Sequence, residues 1–357
     1  MPCMRREIYR MDRDGALALL ERAPVVHVAT TTGDGAPLLR TVHGVVVDGA
    51  VAFHGAPAGE KVEAVGRDAV VSAEEIVAEI PSYFVDPERA CPATTYYLSA
   101  QVHGRLEQVD DPQAKARVLR ALMTKFQPEG GHVPIDEEHP LYRSAVRGIL
   151  VLRVSLERLD GKAKLGQNRK PEELVKILEL LWDRGRPGDP RTIDLVRQAN
   201  PSAPTPTFLD APSGARLLCA LDEERIEEAL SLLQGTYWNE GARRDEVARA
   251  LLSASAWVGA QDSSGALVAM ARAVTDTSKA AWIYDVVVRS DWRGKGVGKA
   301  VMRLLLDHPV VRHTRKVRLA TRDAQGLYER FGFRDIRNVP GASPNTEMIL
   351  VREASDA

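Results

Sequence analysis

Between residues 199 and 214 the chain reads ANPSAPTPTFLDAPSG, and four of those residues are proline. Pro201, Pro204, Pro206 and Pro212 remove backbone donors and fix φ, so neither a helix nor a central strand runs through them. A chain of 357 residues is long for one core, since domains run to roughly 100–200 residues. The proline stretch therefore predicts a linker, with one domain over residues 1–209 and a second over 210–357.

The two sides carry different rhythms. Before the linker, strands are expected at 25–32, 37–49, 50–56, 69–80, 94–109 and 148–157. GDG (33–35) and Asp48-Gly49 are hairpin turns between them. Helices are expected at 12–22, 59–66, 111–126, 171–184 and 189–198. Closely spaced strands with turn signals predict an antiparallel barrel with flanking helices rather than a doubly wound sheet. After the linker the order is a strand at RLLCALD, helices at 222–234 and 243–253, and strands at 256–262, 266–276 and 280–289. A helix at 295–307, a strand at 316–322, a helix at 323–330 and a last strand at 347–352 follow. That is βααβββαβαβ, a mixed α/β layer fold, and the whole chain is α+β in two domains.

Bulk properties exclude several classes. The apolar fraction of 44% and charged fraction of 27% fit an ordinary globular protein. With a formal net charge of -1, the chain as a whole is not built to hold nucleic acid or a membrane surface by charge. Cys3, Cys91 and Cys219 lie far apart and form no CxxC, which argues against a disulfide framework and for a reducing compartment. The start, MPCMRREIYRMDRDG, lacks the apolar core of a signal peptide, and there is no apolar run of ~18 residues to span a bilayer. A cytoplasmic location is expected.

The most specific chemistry lies at 286–304, VVVRSDWRGKGVGKAVMRL. An apolar strand ending in Val286, Val287 and Val288 runs through a short turn into a glycine-opened amphipathic helix. Arg293, Gly296 and Gly298 give R-x-x-G-x-G. Small residues let backbone N–H groups approach a ligand, and the helix adds its positive N-terminal end. Together they suit a pyrophosphate. The stretch 288–322 adds ten Lys/Arg against two acids, Asp291 and Asp307. A phosphate-binding P-loop is excluded because Ala300 follows Gly298-Lys299 and Arg293 stands where its first glycine belongs. A glycine-rich helix start without a ligand is the bland alternative.

This strand, loop and helix, followed by a strand and GLYERFGF (326–333), resembles the GNAT family of N-acetyltransferases over about residues 215–352. The resemblance implies a GNAT fold and acetyl-CoA, its pyrophosphate held by Arg293, Gly294, Lys295, Gly296, Val297, Gly298 and Lys299 beyond the strand Val286–Val288. It implies that Tyr328 protonates the departing CoA thiolate. A phenol with a pKa of ~10 carries that proton at pH 7. The family often has Asn seven positions before this tyrosine, where this chain has Thr321. Asp285, in WIYDVVV, is a candidate base for a small-molecule amine acceptor or a buried structural carboxylate. The aromatic run Thr236-Tyr237-Trp238 is a candidate wall of the acceptor pocket or part of the core.

In the first domain, AFHGAPAGEK (52–61) carries a strand into a small-residue loop and a helix start with Lys61, while Arg40 lies on the preceding strand. A Lys, an Arg and a loop suffice to grip one phosphate. The order LRT, strand, AFHGAPAGEKVEAVGR, strand, YYLSAQVHGRLEQVDD resembles the pyridoxamine 5'-phosphate oxidase-like FMN-binding split barrels, nearest their nitroimidazole-reductase-like and flavin-nucleotide-binding branch. DGKAKLGQNRKP (160–171) is similar to a K-x-K-[LS]-x-QN-R stretch of that branch and of PaiB-type regulators. The resemblance covers about residues 10–190. It implies that Arg40, Thr41, Val42 and Lys61 hold the FMN phosphate, with His54, Gly55 and Ser99 beside the flavin. It also implies a homodimer through the barrel. The family's phosphate loop usually reads Ser-Arg-Lys, where this chain has Gly59-Glu60-Lys61.

His132 and His139 stand near three acids in HVPIDEEH, but their spacing matches no metal site. The reading that follows is a bifunctional enzyme, an FMN-dependent oxidoreductase domain fused to an acetyl-CoA-dependent N-acetyltransferase. The alternative is an acetyltransferase regulated by a flavin- or ligand-sensing barrel. A transcriptional regulator is disfavoured by the lack of a helix-turn-helix pattern or basic recognition helix.

Overall fold

A computed structural model describes residues 7–338. The strand expected at 347–352 lies outside the described residues. The chain divides into two compact units between Pro206 and Thr207.

In the first unit the strands are β1 (Arg10–Met11), β2 (Val26–Thr31), β3 (Pro37–Val42), β4 (Val45–Val47), β5 (Ala50–Gly55), β6 (Asp68–Ile80), β7 (Thr94–Arg105), β8 (Glu107–Val109), β9 (Leu150–Ser155) and β10 (Arg158–Lys164). The helices are α1 (Arg13–Arg22), α2 (Glu60–Glu63), α3 (Pro112–Phe126), α4 (Arg143–Gly148), α5 (Pro171–Arg184) and α6 (Asp189–Ala199). Six strands form one sheet in the order β1-β10-β7-β6-β2-β3, and four form another in the order β4-β5-β9-β8. All pairings are antiparallel, as a split barrel requires.

The chain passes between the two sheets four times, at β3–β4, β5–β6, β7–β8 and β9–β10, and particular residues mark two of these corners. Residues 37–49, expected as one strand, are β3 and β4 in different sheets, broken at His43-Gly44. A Cβ at Gly44 would lie 2.6 Å from Val26 Cγ2, so only glycine lets the strands cross that closely. Leu106, buried between β7 and β8, marks the other. Strand β10 was not expected, because RLDGKAK shows no clean alternation of apolar and polar residues. Its register is nonetheless fixed: Gly161 sits where a Cβ would come within 2.8 Å of Ala16 Cβ, so its bare backbone seats helix α1. Helix α3 covers the second sheet, with Val118 and Leu122 buried against Val45, Ala52 and Val151.

The second unit runs β11 (Arg216–Leu218), α7 (Ile226–Leu233), α8 (Arg244–Leu252), β12 (Ala256–Gln261), β13 (Leu267–Thr275), β14 (Ala280–Val288), α9 (Val297–Asp307), β15 (Lys316–Arg318) and α10 (Gln325–Glu329). One sheet holds the strands in sequence order, and only β14 and β15 pair in parallel. On one face Leu230, Leu233 and Leu251 of α7 and α8 bury against Trp257, Met270 and Val287. Helix α9 packs on β12, β13 and β14, burying Val301, Met302, Leu304 and Leu305.

Just past α9, His308 is 5% exposed. Burial, helped by the Arg312 charge, pushes its pKa from 6.5 down to about 4. Proton binding therefore favours the unfolded chain. The histidine costs nothing above pH 6.5, and its penalty grows as pH falls, levelling off near 4. The full loss is about 3 kcal/mol. His308→Gln should flatten that part of the melting temperature's pH dependence. Identical slopes for the two proteins between pH 6.5 and 4 would refute the assignment.

Candidate functional site

In the second unit the sheet opens on one side of β14. Its pairing with β15 covers only Ala280↔Lys316, Ala281↔Val317 and Trp282↔Arg318. Beyond Trp282, β14 continues to Val288 with no strand beside that edge among the described residues. Val286, Val287 and Val288 thus lie on a strand edge that no described strand covers. The loop beyond them turns back on itself: Arg293 Nε donates to the Val288 carbonyl at 3.2 Å. Lys295 Nζ lies 4.8 Å from the Trp292 ring centre.

Gly294 and Gly296 have φ of +75° and +85°, left-handed conformations that suit glycine. Gly296 is the N-cap of α9 and accepts from the amides of Lys299 and Ala300 at 3.1 and 3.2 Å. The amides of residues 294–298 donate to no group among the described residues. Space beside Gly294 is open. Unused N–H groups at a helix start, amid Lys295 and Lys299, fit a pyrophosphate.

Tyr328 stands on α10, 8% exposed, edge-on to Phe333 at 6.1 Å. Burial raises its pKa, and the neighbouring Tyr237 and Asp323 raise it further, so the phenol is protonated at neutral pH. Thr321, where the family often has Asn, accepts from the Ala324 amide at 3.1 Å and so caps the turn into α10. Tyr237 Oη accepts from the Arg322 amide at 2.9 Å, and the Arg322 guanidinium lies 4.1 Å from the Tyr237 ring centre. Beside Tyr237 is a hollow of about 570 Å³, which Asn239, Glu240 and Arg244 also line.

Asp285 is buried, and both its oxygens are engaged. Trp238 Nε1 donates to Oδ1 at 3.0 Å, and Arg272 Nε donates to Oδ2 at 2.5 Å. Thr236-Tyr237-Trp238 is therefore not core: Trp238 is exposed and Tyr237 half-buried.

In the first unit, helix α2 gathers most of the residues singled out for FMN. The Lys61 ammonium lies against Gly55, where a Cβ would stand 2.8 Å from Nζ. It has no ion pair among the described residues. Arg40 is committed to Glu60 through an ion pair. The pKa of His54 is lowered by burial, then by His43 and Lys61, which favours a neutral ring. Thr41 Oγ1 bonds to His27 Nδ1 at 3.1 Å, and Val42 closes β3 opposite Val26. Ser99 is elsewhere: on β7 it pairs with Glu74 and Lys162. Strands β6 and β2 separate it from β3, about 14 Å at the usual strand spacing.

The cross-strand partner of Ser99, Lys162, lines a pocket of about 370 Å³ with Tyr9, Tyr97, Lys164, Asn168 and Arg169. Lys162 Nζ lies 5.9 Å from the Tyr9 ring centre and 5.1 Å from that of Tyr97. The K-x-K spacing carries the signal for this pocket, since alternate residues of a strand share a face. Gln167 is structural, accepting from the Leu165 amide and donating to the Ala163 carbonyl, each at 2.7 Å.

His132 and His139 both bond within their own loop. Among the described residues no group of three or more His, Cys, Asp and Glu could hold a metal, and no helix is long and apolar enough to cross a membrane.

Residues 12–163 match the family model described as pyridoxamine 5'-phosphate oxidase, and residues 220–333 match that of the acetyltransferase (GNAT) family. An uncharacterized N-acetyltransferase, ycf52, of Porphyra purpurea is 36% identical over 78 residues, 20% of this chain and 42% of that protein. The match thus spans less than half the length of the relative. The flavocytochrome Anf3 from Azotobacter vinelandii is 20% identical with a TM-score of 0.38, covering 44% of this chain and 69% of that one. A GNAT family acetyltransferase from Streptococcus pneumoniae is 22% identical with a TM-score of 0.31, covering 39% of this chain and 96% of that one.

Proposed function

We propose that this chain, which joins a pyridoxamine 5'-phosphate oxidase-like domain to a GNAT acetyltransferase domain, transfers the acetyl group of acetyl-CoA to a small amine. The observation that carries the reading is the row of undonated amides at 294–298 beyond the open edge of β14. These amides, with Lys295 and Lys299, hold the pyrophosphate, and Val286–Val288 border the cofactor's arm. Bound acetyl-CoA supplies a thioester whose C–S bond breaks as the amine's N–C bond forms. Tyr328 gives its Oη proton to the departing sulfur. The acceptor sits in the hollow beside Tyr237 and Glu240, and its proton passes to water there. Calorimetry with acetyl-CoA tests the reading directly, and no heat of binding would refute it.

For the first domain the reading is an FMN-dependent oxidoreductase that pairs as a homodimer. Lys61 and the bare Gly55 backbone suit one phosphate, and the pocket of Lys162, Lys164 and Arg169 suits an anionic redox substrate. Leu39, on the edge strand β3, and Ile76, on the inner strand β6 of the six-stranded sheet, are 61% and 65% exposed and suit a subunit contact. The Arg40–Glu60 ion pair favours a second reading, in which the barrel senses a flavin or other ligand and regulates acetyl transfer.

Flavin fluorescence quenching separates the cations. Lys61→Ala should weaken FMN about tenfold or more, the loss of one charge-assisted hydrogen bond of ~1.5–3 kcal/mol. Glu60→Gln, which frees Arg40, should tighten it. Riboflavin, without a phosphate, should not distinguish the three proteins. Indifference of FMN to both substitutions, or a monomer by light scattering, would remove the flavin-dimer reading.

A further inference from the structure

We infer that Asp285 is a positioning residue that couples the acceptor-side turn of the second unit to its cofactor-side strand, an inference that rests on the acetyl-transfer reading above. The first observation is backbone geometry. Met270 pairs with Val287 and Arg272 with Tyr284, so Ala271 alone faces both Asp285 and Val286. This is a β-bulge, and its first residue, Asp285, has φ of +52°. Glycine ordinarily takes that seat, because a side chain there is strained. The bulge lies on the open stretch of β14 and sets the direction of Val286–Val288, of which Val287 and Val288 pair with Met270 and Ala269 of β13.

The second observation is what the side chain does in return for that strain. Its carboxylate, 7% exposed as a residue, is held by one donor from each side: Arg272 of β13 and the indole of Trp238. The Arg272 guanidinium in turn lies 4.7 Å from the Tyr284 ring centre. Trp238 belongs to the short turn Tyr237–Asn239 and is 43% exposed. Its ring meets that of Tyr237 edge-on at 4.9 Å and 89°. Tyr237 then receives the Arg322 amide, six residues before Tyr328.

One carboxylate thereby links the cofactor strand, the acceptor wall and, through Tyr237, the segment leading to the general acid. A base must reach the incoming amine, and Asp285 is buried and does not line the acceptor hollow. Here each oxygen already accepts from a guanidinium or an indole. Asp285 acts on the reaction through Trp238 and the bulge.

Acrylamide quenching of Trp238 in the full-length protein tests this, read as the difference between each protein and its Trp238→Phe partner. Saturating acetyl-CoA should lower Trp238 quenching about twofold in the wild type, because the cofactor stiffens the bulge. Asp285→Gly takes the left-handed seat without strain and removes the carboxylate. In it Trp238 should be quenched about threefold more strongly, with no response to acetyl-CoA, while calorimetric affinity for acetyl-CoA falls less than about threefold. Asp285→Asn keeps an acceptor for the indole and should restore the shielding. A wild-type Trp238 signal that ignores bound acetyl-CoA overturns the proposal whatever the variants do. So does an acetyl-CoA response that survives in Asp285→Gly. A wild type that binds no acetyl-CoA defeats the acetyl-transfer reading instead, and the quenching of the unliganded proteins still decides whether Asp285 holds the turn.

Discussion

Gly296→Glu should abolish acetyl-CoA binding while leaving the fold in place. Two effects act together at this position. Gly296 has φ of +85°, so any side chain is strained there, and its Cβ would lie 3.1 Å from Pro212 Cγ. The carboxylate would also stand at the start of α9, where the amides of residues 294–298 have no other acceptor. It would take those donors itself and repel a pyrophosphate. Losing two charge-assisted hydrogen bonds of ~1.5–3 kcal/mol each weakens binding about 10²–10⁴-fold. Gly296→Ala has the strain without the charge and should fall between the two. Calorimetry measures the binding, and circular dichroism with thermal melting checks the fold. A folded Gly296→Glu protein that binds as tightly as the wild type would place the cofactor elsewhere.

The glycine loop was legible because its chemistry is local. Arg293, Gly296 and Gly298 lie within six residues, between an apolar strand and an amphipathic helix, and no distant contact is needed to recognise them. The order of strands and helices after the prolines, as far as residue 338, was legible for the same reason. The features that escaped depend on residues far apart in sequence. Strand β10 hides behind Gly161, whose missing side chain makes sense only once Ala16 of α1 lies against it. The corner at Gly44 likewise needs Val26. Glu60 was suspect as an acid in a phosphate loop, but its ion pair with Arg40 spans twenty residues and two elements. Asp285 was open between base and buried carboxylate. What separates the two is the indole of Trp238, 47 residues away, which no spacing rule anticipates.

The fold also divides the labour in the second unit. Strand β14 and the loop after it are anchored by Val287 in the core and by Arg293, which donates to the Val288 carbonyl. Tyr328, in contrast, is placed by the chain around α10. Thr321 caps the turn, Tyr237 holds the Arg322 amide, and the ring of Tyr328 packs on Phe333. Removing the Tyr328 hydroxyl leaves that packing in place.

Tyr328→Phe should accordingly lower kcat far more than it weakens acetyl-CoA. A departing thiolate without a proton donor leaves as an anion in a partly buried site, and one positioned general acid typically contributes ~10²–10⁴-fold. The ring that packs on Phe333 is retained, so calorimetric affinity for acetyl-CoA should change less than about threefold. The pH dependence gives a second reading of the same group. Burial, then Tyr237 and Asp323, raise the Tyr328 pKa above its ordinary 10.0. The acid form thus persists through neutral pH, and the rate should not fall on the alkaline side until above that value. In Tyr328→Phe the alkaline limb should vanish along with most of the rate. Free CoA released from acetyl-CoA with a panel of small amines, followed by a thiol reagent, measures both. A variant that turns over at the wild-type rate would make Tyr328 a packing residue and leave the sulfur to be protonated by water.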